Sequence, residues 1–213
     1  MPAKVYFAPV EKDKEKNVEN LKKLFDAAGA KDCLKTNDSV AIKMHFGEPG
    51  NTAFLKPHYI KPIVEKTLEL NVKPFLTDAN TLYKGGRNNS KDHLESAKKH
   101  GYSKETMGIP TVIADGPDSH DVEIISVGLK HFKEVRIAKA GITADSLIAV
   151  SHFKGHDCTG FGGAIKNVGM GLGSKAGKQQ MHADIRPKVN KTICEGDGEC
   201  VKWCPTDAIS LVE

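Results

Sequence analysis

The sequence predicts an α/β fold, with a largely parallel or mixed sheet flanked by helices and a small cysteine-bearing segment after it. Three observations carry this expectation. Short apolar stretches alternate with amphipathic ones through the first 150 residues, at intervals that suit strand–helix–strand crossovers. Several apolar stretches end in polar clusters: HFGEPGNT (45–52), TDANTLYKGGR (77–87) and SHFKGHD (151–157). Parallel sheets deliver ligand-binding residues at such strand ends. Finally, 213 residues with 39% hydrophobic and 27% charged content suit one large domain, or one with a small appendage.

The elements follow in order. KVYFAPV (4–10) is short and apolar and predicts a strand. In NVENLKKLFDAAGA (17–30), Val18, Leu21, Leu24, Phe25 and Ala28 recur at helical spacing, and Gly29 supplies a stop. SVAIKMHF (39–46) reads as a buried strand. KPHYIKPIVEKTLEL (56–70) reads as a helix with Ile60, Ile63, Val64 and Leu68 inward, which places Pro62 near its first turn. KPFLTDAN (73–80) predicts a strand, HLESAKKHG (93–101) a short helix, and TVIAD (111–115), VEIISVG (122–128) and SLIAVSHF (146–153) further strands.

Lys and Arg exceed Asp and Glu by 31 − 27 = 4, a mild excess spread along the chain. It suits a small anionic ligand and gives no concentrated footprint for nucleic acid. The densest charged run, EKDKEKNVENLKK (11–23), mixes both signs and reads as a solvated helix face. There is no apolar run of 18 residues and no signal-peptide core near the first residue, so neither a membrane span nor export is expected, and the expected location is cytoplasmic.

Composition shifts at residue 154. KGHDCTGFGGAIKNVGMGLGSKAGK (154–178) holds eight glycines, at 155, 160, 162, 163, 169, 171, 173 and 177. It matches neither GxxxxGK[ST] nor a strand-borne GxGxxG. The segment reads as a long functional loop, because His156, Cys158 and Lys166 are threaded through it and His182 follows. A histidine relays protons near neutral pH or ligates a metal. A lysine among backbone N–H groups holds an anion or acts covalently. Gly160, Gly162, Gly163 and Asn167 are candidate cofactor contacts, joined by Asn80 and Arg87 from the earlier strand end, where Asp78, Tyr83 and Lys84 also lie. His45 and Glu48 follow another strand, and His152 precedes the loop.

Three of the five cysteines fall within residues 194–204, in CEGDGECVKWCP. In a cytosolic chain such clustering points to metal binding. Bacterial ferredoxin motifs run C-x2-C-x2-C-x3-C-P. Here the frame is Cys194, Asp197, Cys200, Cys204 and Pro205, with a carboxylate in the second position. These four side chains are the candidate metal ligands of a [4Fe–4S] or [3Fe–4S] cluster, Asp197 being the harder donor and its iron the more labile. Gly196 and Gly198 permit a tight wrap, and TDAIS (206–210) resembles the start of the strand that follows such motifs. Three thiolates and a carboxylate would also serve zinc. Cys158 is a remote candidate for an extra ligand. In two-cluster ferredoxins the fourth cysteine serves the other cluster, so a second ferredoxin half is expected from a region beyond residue 213 or from another chain.

HFGEPGNT (45–52), TDANTLYKGGRNNSKDH (77–93), SHFKGHDCTGFGGAIKN (151–167) and the terminal cysteines, in that order, resemble a prokaryotic family of uncharacterised iron–sulfur centre proteins carrying domain of unknown function 362. That resemblance implies a fold and a cluster rather than a reaction. HDCTGFGGAIK (156–166) followed by His182 is also similar to a segment of the nickel-dependent lactate racemases. The second resemblance implies that Lys166 anchors a pincer-type nickel cofactor, that His182 ligates a second metal, nickel or another, and that His156 carries protons. Where those racemases use a further histidine after an earlier strand, this chain reads TDANTLY.

The expected organisation is an α/β ligand-binding domain over 1–186 and a partial ferredoxin-like iron–sulfur segment over 187–213. Three functions stay open. One is a redox role, in which the cluster exchanges electrons with a ligand or cofactor at His156, Lys166 and His182 and with a redox partner protein. Another is a racemase-like or other non-redox enzyme acting on a small carboxy acid. The last is a non-catalytic iron–sulfur module that docks a partner.

Overall fold

A computed structural model describes residues 3–183, 187–204 and 208–211. In chain order its helices are α1 (Lys14–Ala27), α2 (Pro57–Leu68), α3 (Ser90–Lys99), α4 (Lys104–Met107), α5 (Lys139–Thr143), α6 (Ala164–Gly169), α7 (Lys175–Met181) and α8 (Glu199–Lys202). Its strands are β1 (Ser39–Lys43), β2 (Lys73–Asp78), β3 (Thr111–Ile113), β4 (Val122–Ser126), β5 (Glu134–Ala138), β6 (Ser146–Ala149), β7 (Lys154–His156) and β8 (Gly160–Gly162).

The centre is a four-stranded parallel sheet in the order β3-β2-β1-β6, as the alternating pattern predicts. β1 lies between two neighbours and is covered on both faces. Val40, Ala41 and Ile42 are therefore fully buried, and the strand reads as a continuous apolar run. The main core joins Ile42, Met44 and Phe46 to Ile60 and Val64 of α2, Leu76 of β2, and Tyr102. α1 packs on α2, and α2 on β2. Asn89 caps α3 by accepting the Asp92 N–H, and this fixes the entry of the helix that follows the Tyr83–Arg87 turn.

Several expectations are corrected. Residues 4–10 form no strand: no sheet edge meets them, and Val5 and Phe7 are exposed. Pro62 sits in the second turn of α2 rather than near the first, and it is buried. β5 was not expected. Its Glu134 and Arg136 break the apolar pattern, yet it pairs antiparallel with β4 to form a separate ribbon. The glycine-rich stretch after residue 154 is built rather than loose: an antiparallel β7–β8 hairpin, then α6 and α7. Gly177 makes the last of these possible. A Cβ there would lie 2.2 Å from the Arg136 carbonyl oxygen, so only glycine lets α7 approach the β5 backbone so closely.

Candidate functional site

A cavity of about 410 Å³ opens where the carboxyl ends of β1, β2 and β6 meet the segment from β7 to α7. The ends of parallel strands are where such folds place ligands. β1 contributes Lys43, with His45 and Glu48 beyond it; β2 contributes Asp78, with Tyr83 and Arg87 beyond it; β6 leads to Val150 and His152. Gly162, Gly163, Lys166, Asn167, Lys178 and His182 close the other side.

The floor is a buried charge network. Lys43 is 1% exposed, and its Nζ donates to Asp78 Oδ1 (2.9 Å), Asn167 Oδ1 (2.8 Å) and the Met44 carbonyl (3.0 Å). All three ammonium hydrogens are thereby used. Asp78 also accepts from the Ala79 N–H (2.9 Å) and from Arg87 Nη1 (3.2 Å). Burial alone would raise its pKa, but Lys43, His93 and Arg87 outweigh burial and hold the carboxyl well below its ordinary range. Arg87 turns its other edge to Glu48, which accepts from Nε at 2.8 Å, and Nη2 donates to the Tyr83 hydroxyl at 2.7 Å. Glu48 is lowered because its bonds from Arg87 and Tyr83 outweigh its burial. Burial pushes the Tyr83 hydroxyl up to about 12, so it enters the network as a neutral donor to Glu48.

His45 lines the cavity with part of its ring open to it, while protein walls enclose the rest. Burial, and after it the Arg87 charge, lowers its pKa to about 4. Its Nδ1 accepts the Gly47 N–H (2.9 Å), so the neutral ring carries its hydrogen on Nε2. On the opposite wall, Lys166 Nζ lies 2.8 Å from His156 Nε2. The histidine and lysine singled out in the glycine-rich segment are thus hydrogen-bonded partners, joined through the β7–β8 hairpin and α6.

The other candidates separate by place. Gly162, Gly163, Lys166, Asn167, Arg87 and His182 line the cavity, whereas Gly160 lies at the exposed end of the hairpin. Asn167 is a bracket: beyond holding Lys43, its Nδ2 donates to the Val150 carbonyl (3.2 Å) and Ser151 Oγ (3.0 Å). Asn80 lies beneath the cavity, fully buried, with its Nδ2 donating to Ser90 Oγ (2.8 Å) and Ser119 Oγ (2.9 Å). Arg87, expected to clamp an anion, has its donors directed to Glu48, Asp78 and Tyr83.

Sequence reasoning missed Lys43, Lys178 and His93. Lys43 lies in a stretch read only as a buried strand, and Lys178 ends the glycine-rich segment without being singled out. Lys178 is nevertheless 7% exposed, and its Nζ donates to the Asn80 carbonyl (2.8 Å) and the Gly173 carbonyl (2.7 Å). Burial, and less strongly Lys43 and Arg87, lower its pKa to about 8 against the pull of Asp78 and Asp115. His93 is fully buried, with Nδ1 3.2 Å from Asn80 Oδ1 and Nε2 3.6 Å from Asp78 Oδ2.

The cysteine segment is different. Gly196 and Gly198 adopt left-handed conformations, as a tight wrap requires. Cys194 and Cys200 are exposed and Cys204 is buried, while Asp197 accepts the Glu199 N–H at 3.2 Å. Pro205 and the first two residues of TDAIS lie outside the described residues. Among the described residues, no three His, Cys, Asp or Glu side chains gather to hold a metal ion. A metal at His182 would therefore have to bring its remaining donors with it. No helix among the described residues is long and apolar enough to cross a membrane.

This geometry defines an α/β protein with a cavity lined by charged residues at the carboxyl edge of a parallel sheet. The chain belongs to the family described as domain of unknown function (DUF362), whose model matches residues 40–197. No curated protein matches it. Among solved structures it is similar to the lactate racemase apoprotein from Thermoanaerobacterium thermosaccharolyticum, with a TM-score of 0.51 and 20% identity over 77% of this chain. The match spans 38% of that protein and bears on the fold alone.

Proposed function

We propose that the chain binds a small carboxylate-bearing ligand in the cavity and moves a proton on it. The carrying observation is the charge of the wall. Lys43, Arg87, Lys154 and Lys166 face only Glu48 and Asp78, and both acids are occupied by Arg87 and Lys43. The surplus of positive charge lies on the side formed by the segment from β7 to α7, where it would receive an anion. Lys166 orients the ligand, and His156, hydrogen-bonded to Lys166 from behind the cavity lining, exchanges the proton through it. Neutral His45 offers an N–H donor from the facing wall. The 2-hydroxy acid class is supported by the name of the structurally similar protein, lactate racemase.

Calorimetric titration with lactate, glycolate and pyruvate tests this reading. Saturable binding of at least one acid is expected, weakened at least about tenfold by Lys166→Glu. Binding of none, or binding indifferent to Lys166→Glu, rejects it.

A redox reading rests on a different observation. Lys84 Nζ donates to the Lys202 carbonyl at 2.9 Å, tying the cysteine-bearing α8 to the turn that carries Tyr83 and Arg87. If the frame of Cys194, Asp197, Cys200 and Cys204 holds a cluster, that cluster sits one loop from the cavity. Protein purified anaerobically should then contain iron and acid-labile sulfide and bleach reversibly on reduction. Protein lacking both rejects the redox role and leaves the acid–base reading standing.

A further inference from the structure

Two lysines are buried around the cavity, and their hydrogen bonds differ in number. Lys43 Nζ has three acceptors, one of them the Asp78 carboxylate, which is what an ammonium requires. Lys178 Nζ has two, the carbonyls of Asn80 and Gly173, and no carboxylate within ion-pair distance among the described residues. A neutral amine has two hydrogens and one lone pair. The two carbonyls take both hydrogens, and the lone pair is left without a partner.

The fold places this amine deliberately. Ser174 caps α7 by accepting the Gly177 N–H (3.1 Å). Gly177 brings the helix against the Arg136 carbonyl, and the next residue, Lys178, is driven into the cavity wall. Burying an ammonium without a carboxylate is costly, and a lysine so placed gives up its proton more readily than an exposed one, which brings its uncharged, nucleophilic form within reach.

We propose that Lys178 is a carbonyl-reactive amine that holds a small 2-oxo acid in the cavity as an imine. The Nζ lone pair attacks the carbonyl carbon, and the C–O π pair moves onto oxygen. The two hydrogens of the amine leave with that oxygen as water, and a C=N bond forms; nothing is oxidised or reduced. A protonated imine keeps one N–H, for which the Asn80 or Gly173 carbonyl is the standing acceptor. The choice of an oxo acid over a neutral carbonyl compound rests on the carboxylate reading above, since Lys154 and Lys166 on the same wall would receive the carboxylate.

The test is reductive trapping. The full chain is incubated at neutral pH with sodium cyanoborohydride and either pyruvate or propanal, and labelled lysines are mapped by peptide mass spectrometry. Lys178 is expected to be labelled at least about tenfold faster than exposed Lys23, because its amine is available uncharged. Lys178→Arg should lose that label while its circular dichroism matches that of the parent. Lys166→Glu should slow labelling by pyruvate more than labelling by propanal. If Lys178 is trapped by propanal but not by pyruvate, the amine is reactive and the carboxylate reading fails. If Lys178 is labelled no faster than Lys23 with either reagent, the imine proposal is overturned. That comparison is internal to the parent protein, so it holds even where the variants fail to fold.

Discussion

The cavity floor and the cysteine segment were both candidate sites, and they are built in opposite ways. The floor joins Lys43, Asp78, Arg87 and Asn167, up to 124 residues apart, through buried hydrogen bonds. The cysteine segment keeps its candidate ligands within eleven positions, in the frame of a motif with an aspartate in its second place, and Cys194 and Cys200 are exposed while the bond of Asp197 is local. A motif can be compact in sequence while its side chains stay apart, and a buried network can close in space while no short stretch announces it. The largest test of this contrast removes the carboxylate at the centre of the floor. Asp78→Ala leaves Lys43 and Arg87 buried with one shared counter-ion gone, and should cost about 3–5 kcal/mol in urea unfolding. The pH dependence has a definite sign. The folded-state pKa of Asp78 is lowered, so its contribution is present above the unfolded carboxylate value and is lost as pH falls through the lower folded one. Parent and Asp78→Ala should therefore converge in stability in acid. A loss below about 1 kcal/mol at neutral pH would make the floor no more consequential than a surface pair.

The same contrast explains what was legible in the sequence. SVAIK was readable as a buried strand because a central parallel strand is apolar on both faces, and the polar strand ends correctly located the edge where the cavity opens. Lys43 was not readable as a site residue. Its meaning depends on Asp78, 35 residues on, and on Asn167, 124 residues on, and no local period encodes either. Lys178 was hidden by a mostly polar neighbourhood, and only the contact between Gly177 and Arg136 turns it inward. His156 and Lys166 were legible because a short hairpin and one helical turn suffice to join them. Residues 4–10 misled in the other direction: an apolar run makes a strand only where a sheet edge is free to receive it.

Lys178 sharpens the contrast within the floor itself, since it shares the burial of its neighbour Lys43 but not the carboxylate that Lys43 is paired with. Its folded pKa is about 8 against an ordinary 10.5. Between those values the folded chain has given up the proton and the unfolded chain still holds it, so raising the pH through that window stabilises the fold. The stability of the parent relative to Lys178→Met should climb between about pH 8 and 10.5, by on the order of 3 kcal/mol. A flat difference across that window, measured by urea unfolding at several pH values, would mean that Lys178 stays charged, and the hydrogen-bond argument for its free lone pair would fall.

The smallest expected effect is in the cysteine segment. Cys200 is exposed, and α8 is a four-residue helix with no buried residue. Without a cluster, Cys200→Ser should change stability by no more than about 0.5 kcal/mol, as for other surface substitutions. The same substitution in anaerobically prepared, iron-loaded protein separates the two designs. A cluster held by the frame would couple metal binding to folding, and loss of one thiolate would then cost far more than the surface value. Equal, small effects in both preparations would leave the cysteine motif outside the chain's energetics and assign its chemistry to the cavity. A large effect confined to the iron-loaded protein would mean that the motif becomes a site only when the metal gathers what the fold leaves apart.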